Sequence, residues 1–112
     1  MVDLRDYNQF NEYIPDLWFN DKKEVSVQLK CIQTPDYQKE VRAQTGVNPD
    51  KQSEMNYDFM SKHVGEIKGL KVGGVPVKTF ADLRERGPLE LYSWISTVIY
   101  SSQQLDKAEV KN

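Results

Sequence analysis

Nine consecutive residues, Glu24 to Ile32, alternate between the two faces of an extended chain. In EVSVQLKCI, Val25, Val27, Leu29 and Cys31 fall on one side and Ser26, Gln28 and Lys30 on the other. Alternation with period two marks a strand with one buried face. A second extended signal lies in EIKGLKVGGVPVKT, where Leu70 and Val72 alternate, Gly73-Gly74 follows, and Val75 and Val77 alternate again. A Gly-Gly pair between two such runs predicts a tight hairpin, because both turn residues need positive φ. Pro76 has no N–H to give to a ladder, which places the hairpin at a sheet edge.

The rest of the chain reads as helix and loop. Thr34 is an N-cap and Pro35 a first helical residue for a short helix, DYQKEVRAQT, that stops at Gly46. Its apolar stripe is thin, chiefly Tyr37 and Val41, so it belongs at the surface. VNPDKQS reads as a loop, and Ser53 as the cap of a helix from Glu54 that carries Met55, Phe59, Met60, Val64 and Ile67 on a broad apolar half, with His63 near its middle. Thr79 caps a short helix, FADLRERG, with Gly87 as its stop. Pro88 opens the last helix, expected to reach about Leu105, with Leu91, Ile95, Val98, Ser102 and Leu105 along one face and Tyr92, Trp94 and Ile99 flanking them.

Upstream, Leu4, Tyr7, Phe10, Tyr13 and Ile14 recur at spacings of mostly three, predicting one or two helical turns before Pro15. Residues 1–23 form an aromatic N-terminal arm, and 106–112 a charged, frayed tail. The expected architecture is α+β: one domain over 1–112, a small antiparallel sheet made of one strand plus a hairpin, packed against about four helices, the C-terminal one long.

Composition bounds the function. Fifteen basic residues stand against seventeen acidic ones, for a net charge of −2. Nucleic-acid binding normally requires a basic surplus, because phosphates dominate that affinity, so no nucleic-acid partner is expected. A small regulatory protein that bound nucleic acid would need a basic face created by folding, drawn from Lys22, Lys23, Lys68, Lys71 and Lys78. The single cysteine, Cys31, excludes a disulfide within the chain and a cysteine-based zinc cage. MVDLRDYNQF lacks the layout of a signal peptide, and no apolar run approaches the roughly 20 residues that span a bilayer. A cytosolic protein without membrane association is expected.

His63 is the only histidine, so a Ser-His-Asp or Cys-His pair would have to use it. It sits on an apolar helix face, and Cys31 on the buried side of a strand, where both residue types serve packing. Asp3 with Asp6, and Asp82 with Glu85, can each share a helix face, but such pairs are ordinarily solvated. Asn48-Pro49-Asp50-Lys51 lacks the acidic spacing of a calcium loop, and Lys78-Thr79 lies too far from Gly73-Gly74 for a phosphate loop. No catalytic, cofactor or metal site is expected, and no enzyme activity.

The candidates that remain are apolar. Tyr7, Phe10, Tyr13, Trp18 and Phe19 form an aromatic cluster that either packs across the core or meets a partner, since Trp and Tyr concentrate at binding hot spots. Leu89 and Tyr100 fall on the face of the last helix opposite its core stripe. Tyr7, Phe10, Trp18, Phe19, Leu89 and Tyr100 are therefore the candidate partner-binding residues.

Three segments carry a resemblance: YIPDLWFNDKKEVSVQLK, TPDYQKEVR, and GLKVGGVPVKTFADLRERGPLELYSWISTVIYSSQQLDKAEVKN. The hairpin, the Thr-x-x-Asp-Leu helix start, the Pro-Leu-Glu-Leu helix and the Lys-Asn ending resemble the tail assembly chaperones of long-tailed bacteriophages. That resemblance implies a non-enzymatic protein of the host cytoplasm that binds the tape-measure protein while the tail tube protein polymerises around it, and that is absent from the finished virion. It also implies, in many such phages, a frameshifted C-terminal extension, for which the charged tail after Leu105 would suit. A homo-oligomer is compatible with the sequence. The alternatives are a minor structural virion protein, such as a completion or connector component, and a small regulatory binding protein.

Overall fold

The computed structural model describes residues 1–3, 6 and 8–101. The alternating run becomes strand β2, Ser26–Leu29, at the centre of a three-stranded antiparallel sheet ordered β1-β2-β3. Val25, Val27, Leu29 and Cys31 are all buried, as their period requires.

The partners of β2 differ from those expected. β1, Asn11–Tyr13, comes from the arm that the spacing of aromatics assigned to helix. It pairs Tyr13 with Val27 and Glu12 with Gln28, which buries the Tyr13 ring against the core and leaves Glu12 in solvent. Pro15 then ends the strand, and Asn20, at the end of a 3-10 turn over Trp18–Asn20, ties the corner together. The buried Asn20 amide donates to Pro15 O (2.9 Å) and Val25 O (3.1 Å) and accepts from Val25 N (2.8 Å).

β3, Val64–Lys68, lies on the other side of β2. It takes Val64 and Ile67 away from the helix to which their spacing assigned them. That helix, α2, starts earlier, at Pro49–Ser61, because Asn48 caps it by accepting from Lys51 N (3.0 Å) and Pro49 occupies the first turn. The segment VNPDKQS is thus mostly helix, and Ser53 is an interior residue. Gly65 disfavours continuing the helix by about 1 kcal/mol relative to Ala. Between the pairs Val27↔Ile67 and Leu29↔Val64 the register shifts, so β3 carries one extra residue as a bulge. Gln28 serves the bulge by accepting from Glu66 N with its side-chain oxygen (3.2 Å).

The hairpin forms as expected, with β4, Lys71–Val72, and β5, Val75–Pro76, joined by Gly73 (φ +58°) and Gly74 (φ +82°). It is a separate two-stranded ladder, so the main sheet has three strands of its own. Bonds from Ile67 N to Lys78 O (2.9 Å) and from Val77 N to Leu70 O (3.0 Å) connect it to the end of β3. Gly69 makes this junction possible: its φ is +79°, and a Cβ there would collide with the carbonyl of Glu24.

α1, Thr34–Gln44, is a surface helix with no buried residue, starting one residue early so that Gln33 is its N-cap, without a side-chain bond. α3, Phe80–Arg86, has the anticipated cap as a full capping box: Thr79 Oγ1 accepts from Asp82 N (3.1 Å), and Asp82 returns a bond from Thr79 N (3.3 Å). α4, Leu89–Tyr100, buries Leu91, Ile95, Val98 and Ile99. Ser101 is already extended, so the helix stops before Leu105; Ser102 and Leu105 lie outside the described residues. The Tyr57, Phe80 and Tyr92 rings stack at 5.3 and 5.1 Å, and the Arg84 guanidinium lies 4.0 Å from the centre of the Tyr57 ring, so one aromatic column joins α2, α3 and α4.

Candidate protein-binding surface

The 3-10 turn that fixes Asn20 inward turns Trp18 outward. Trp18 is 75% exposed, while Phe19 is partly buried against the core and meets the Trp18 ring edge-to-face at 5.5 Å. Trp18 is not loose, since its indole N–H donates to the Glu90 carboxylate in the first turn of α4. That bond brings the indole to the first turn of α4, where Leu89, the residue before Glu90, is also 75% exposed. Three candidate residues, Trp18, Phe19 and Leu89, are thereby gathered into one surface patch where the 3-10 turn meets the start of α4.

The other candidates stand apart. Phe10 is exposed and lies over Gly65 on the polar face of the sheet, where a Cβ on Gly65 would come within 3.4 Å of the Phe10 ring. Its neighbours there are hydrophilic: Ser26 donates to Glu12 (2.8 Å), and the Lys68 ammonium is 3.9 Å from the same carboxylate. Tyr100 is exposed at the far end of α4, roughly 16 Å from Leu89 at 1.5 Å per residue, and meets Tyr37 of α1 edge-to-face at 6.2 Å. Tyr7 lies outside the described residues.

Sequence reasoning did not place Tyr37 and Val41 at a site, although both are exposed and line a cleft of about 320 Å³ with Tyr100 and Phe59. The signal was the thin stripe of α1, whose apolar residues had no core to enter.

His63 follows α2 and is 6% exposed. Its Nδ1 lies 2.9 Å from Lys30 O, and a carbonyl only accepts, so Nδ1 carries the proton. Burial holds the imidazole pKa below its usual value, against the opposing effect of that bond. The ring meets Phe59 edge-to-face at 5.2 Å and borders a cleft of about 300 Å³ with Lys30, Asp36, Lys39, Glu40 and Lys62. Cys31 is buried, its sulfur 3.9 Å from Val98 O.

The paired acids are engaged locally. Asp82 accepts from Lys78 N (3.2 Å) and Thr79 N and lies 3.6 Å from Arg86, contacts that lower its pKa, the Lys78 bond most. Glu85 faces Arg86 at 3.6 Å. Asp6 accepts from Asn8 N and from the Gln9 amide, both at 2.9 Å. Among the described residues there is no group of three or more His, Cys, Asp or Glu side chains that could hold a metal ion, and no helix long and apolar enough to cross a membrane.

No family model matches the sequence, and no curated protein or solved structure is significantly similar to it.

Proposed function

We propose that this chain is a non-enzymatic assembly chaperone of a bacteriophage tail, which binds the tape-measure protein while the tail tube protein polymerises around it. The observation that carries a protein-binding role is the patch of Trp18, Phe19 and Leu89, in which an exposed indole is anchored by Glu90 next to an exposed leucine. A pre-oriented aromatic anchor loses little side-chain freedom on binding, and aromatic anchors dominate interface energetics. The phage assignment is supported by the sequence resemblance carried by the Ile-Pro-Asp-Leu lead-in, the hairpin and the Thr79-x-x-Asp82-Leu83 helix start.

The reading is tested by co-expressing the chain with the tape-measure protein encoded beside it and measuring how much of that protein stays soluble. A partner that is soluble only in the presence of this chain supports the proposal, as does a chain absent from purified particles. A partner that is indifferent, with this chain retained in purified virions, would make it a structural component instead.

A further inference from the structure

A second surface lies at the junction of β3 with the hairpin, away from any candidate the aromatic residues suggested. A cleft of about 550 Å³ opens there, with Leu70, Pro76 and Val77 contributing apolar lining and Lys68, Lys71 and Lys78 around it. All three lysines are exposed, and Val75, also exposed, continues the apolar surface onto the hairpin. Lys68 has Glu12 at 3.9 Å, whereas Lys71 and Lys78 have no carboxylate at ion-pair distance among the described residues. The backbone at Glu24 and Val25 lies against Gly69, which brings the Lys22-Lys23 turn to the same end of the sheet. In a chain of net charge −2, three lysines line one apolar cleft, and two more stand at the same end of the sheet.

We infer that this cleft is a docking site for an acidic, amphipathic protein segment, one that places apolar side chains on Leu70 and Pro76 and carboxylates opposite Lys68, Lys71 and Lys78. The inference does not rest on the phage assignment or on the Trp18 patch. Charge complementarity selects an anion, and the lining selects which kind. The cleft has no arginine, the side chain that grips phosphate with two parallel bonds, and no aromatic ring on which a base could stack. Glu66 is also in its lining and would repel a closely spaced phosphate backbone, while a peptide can space its carboxylates around it. Lysine stems are themselves apolar, so they extend the floor toward the peptide and keep the ammonium groups at the rim.

The test is fluorescence anisotropy with four probes: a labelled peptide alternating Glu and Leu, the same peptide with Ser for Leu, single-stranded DNA of matched charge, and anionic vesicles. The Glu-Leu peptide is expected to bind at least about tenfold more tightly than the other three, and to weaken several-fold between about 50 and about 300 mM salt as the charges are screened. Lys71→Glu with Lys78→Glu should raise its Kd by at least about tenfold, and Lys71→Gln by less, each with an unchanged circular dichroism spectrum. Binding that is equal or tighter for DNA or vesicles, peptide binding that the charge reversal leaves intact, or no binding of the peptide at all overturns the assignment.

Discussion

Asn20 is one residue on which a whole corner depends. Its amide satisfies two carbonyls and one N–H, all buried, so Asn20→Ala leaves three groups unpaired at once. Net hydrogen bonds contribute about 1 kcal/mol each and buried orphans cost more, so a loss of about 2–4 kcal/mol is expected in urea denaturation. Asn20→Asp should be no better, because a carboxylate cannot donate to Pro15 O or Val25 O. His63 sets a pH dependence. Its pKa is lowered in the folded state, so between that value and the unfolded value of 6.5 the unfolded chain binds more protons. Stability therefore falls as pH drops below 6.5 and the loss levels off below the folded pKa. His63→Asn keeps a donor near the Nδ1 position without titrating, and should flatten that part of the stability–pH curve. In the sequence, His63 was legible as a packed residue, but its partner was not, since nothing in the local pattern points to a carbonyl 33 residues away.

Elements were legible where a local rule has one reading. β2 has strict alternation over nine residues, and α3 has Thr79, Asp82 and Gly87 at cap positions, so both formed as expected. β3 was misassigned because Val64 and Ile67 are three apart, a spacing that suits a helix face and also a strand with a bulge. β1 has only three residues, too few to show a period, and is fixed by its pairing with β2. Gly69, at the junction of β3 with the hairpin, and Gly74, in the hairpin turn, separate two costs. Gly69→Ala meets both a positive φ and the Glu24 carbonyl, whereas Gly74→Ala has open space around it. Gly74→Ala should cost about 1–2 kcal/mol and Gly69→Ala at least about 3 kcal/mol, compared by thermal unfolding. α1 buries nothing, so its amides should exchange with solvent well before those of α4, where Ile95→Ala should cost about 2–5 kcal/mol.

At the scale of the whole molecule, an α+β domain uses one face of its sheet and the aromatic column of α2, α3 and α4 for stability, and leaves separate surfaces available for partners. Trp18, Phe19, Leu89 and Tyr100 were recognisable as candidates by residue type. The grouping of the first three was not, because the bond from Trp18 to Glu90 joins residues 72 apart and a 3-10 turn decides which ring faces out. The most direct test of the proposed role is the affinity of a soluble fragment of the proposed partner, the tape-measure protein, for the wild-type chain and for a Trp18→Ala, Leu89→Ala double variant, measured by calorimetry. Both side chains are exposed, so the variant should unfold within about 1 kcal/mol of wild type, while binding should weaken by about 2 kcal/mol or more, roughly thirtyfold in Kd. An unchanged affinity for the double variant, or no binding by the wild-type chain, would contradict it.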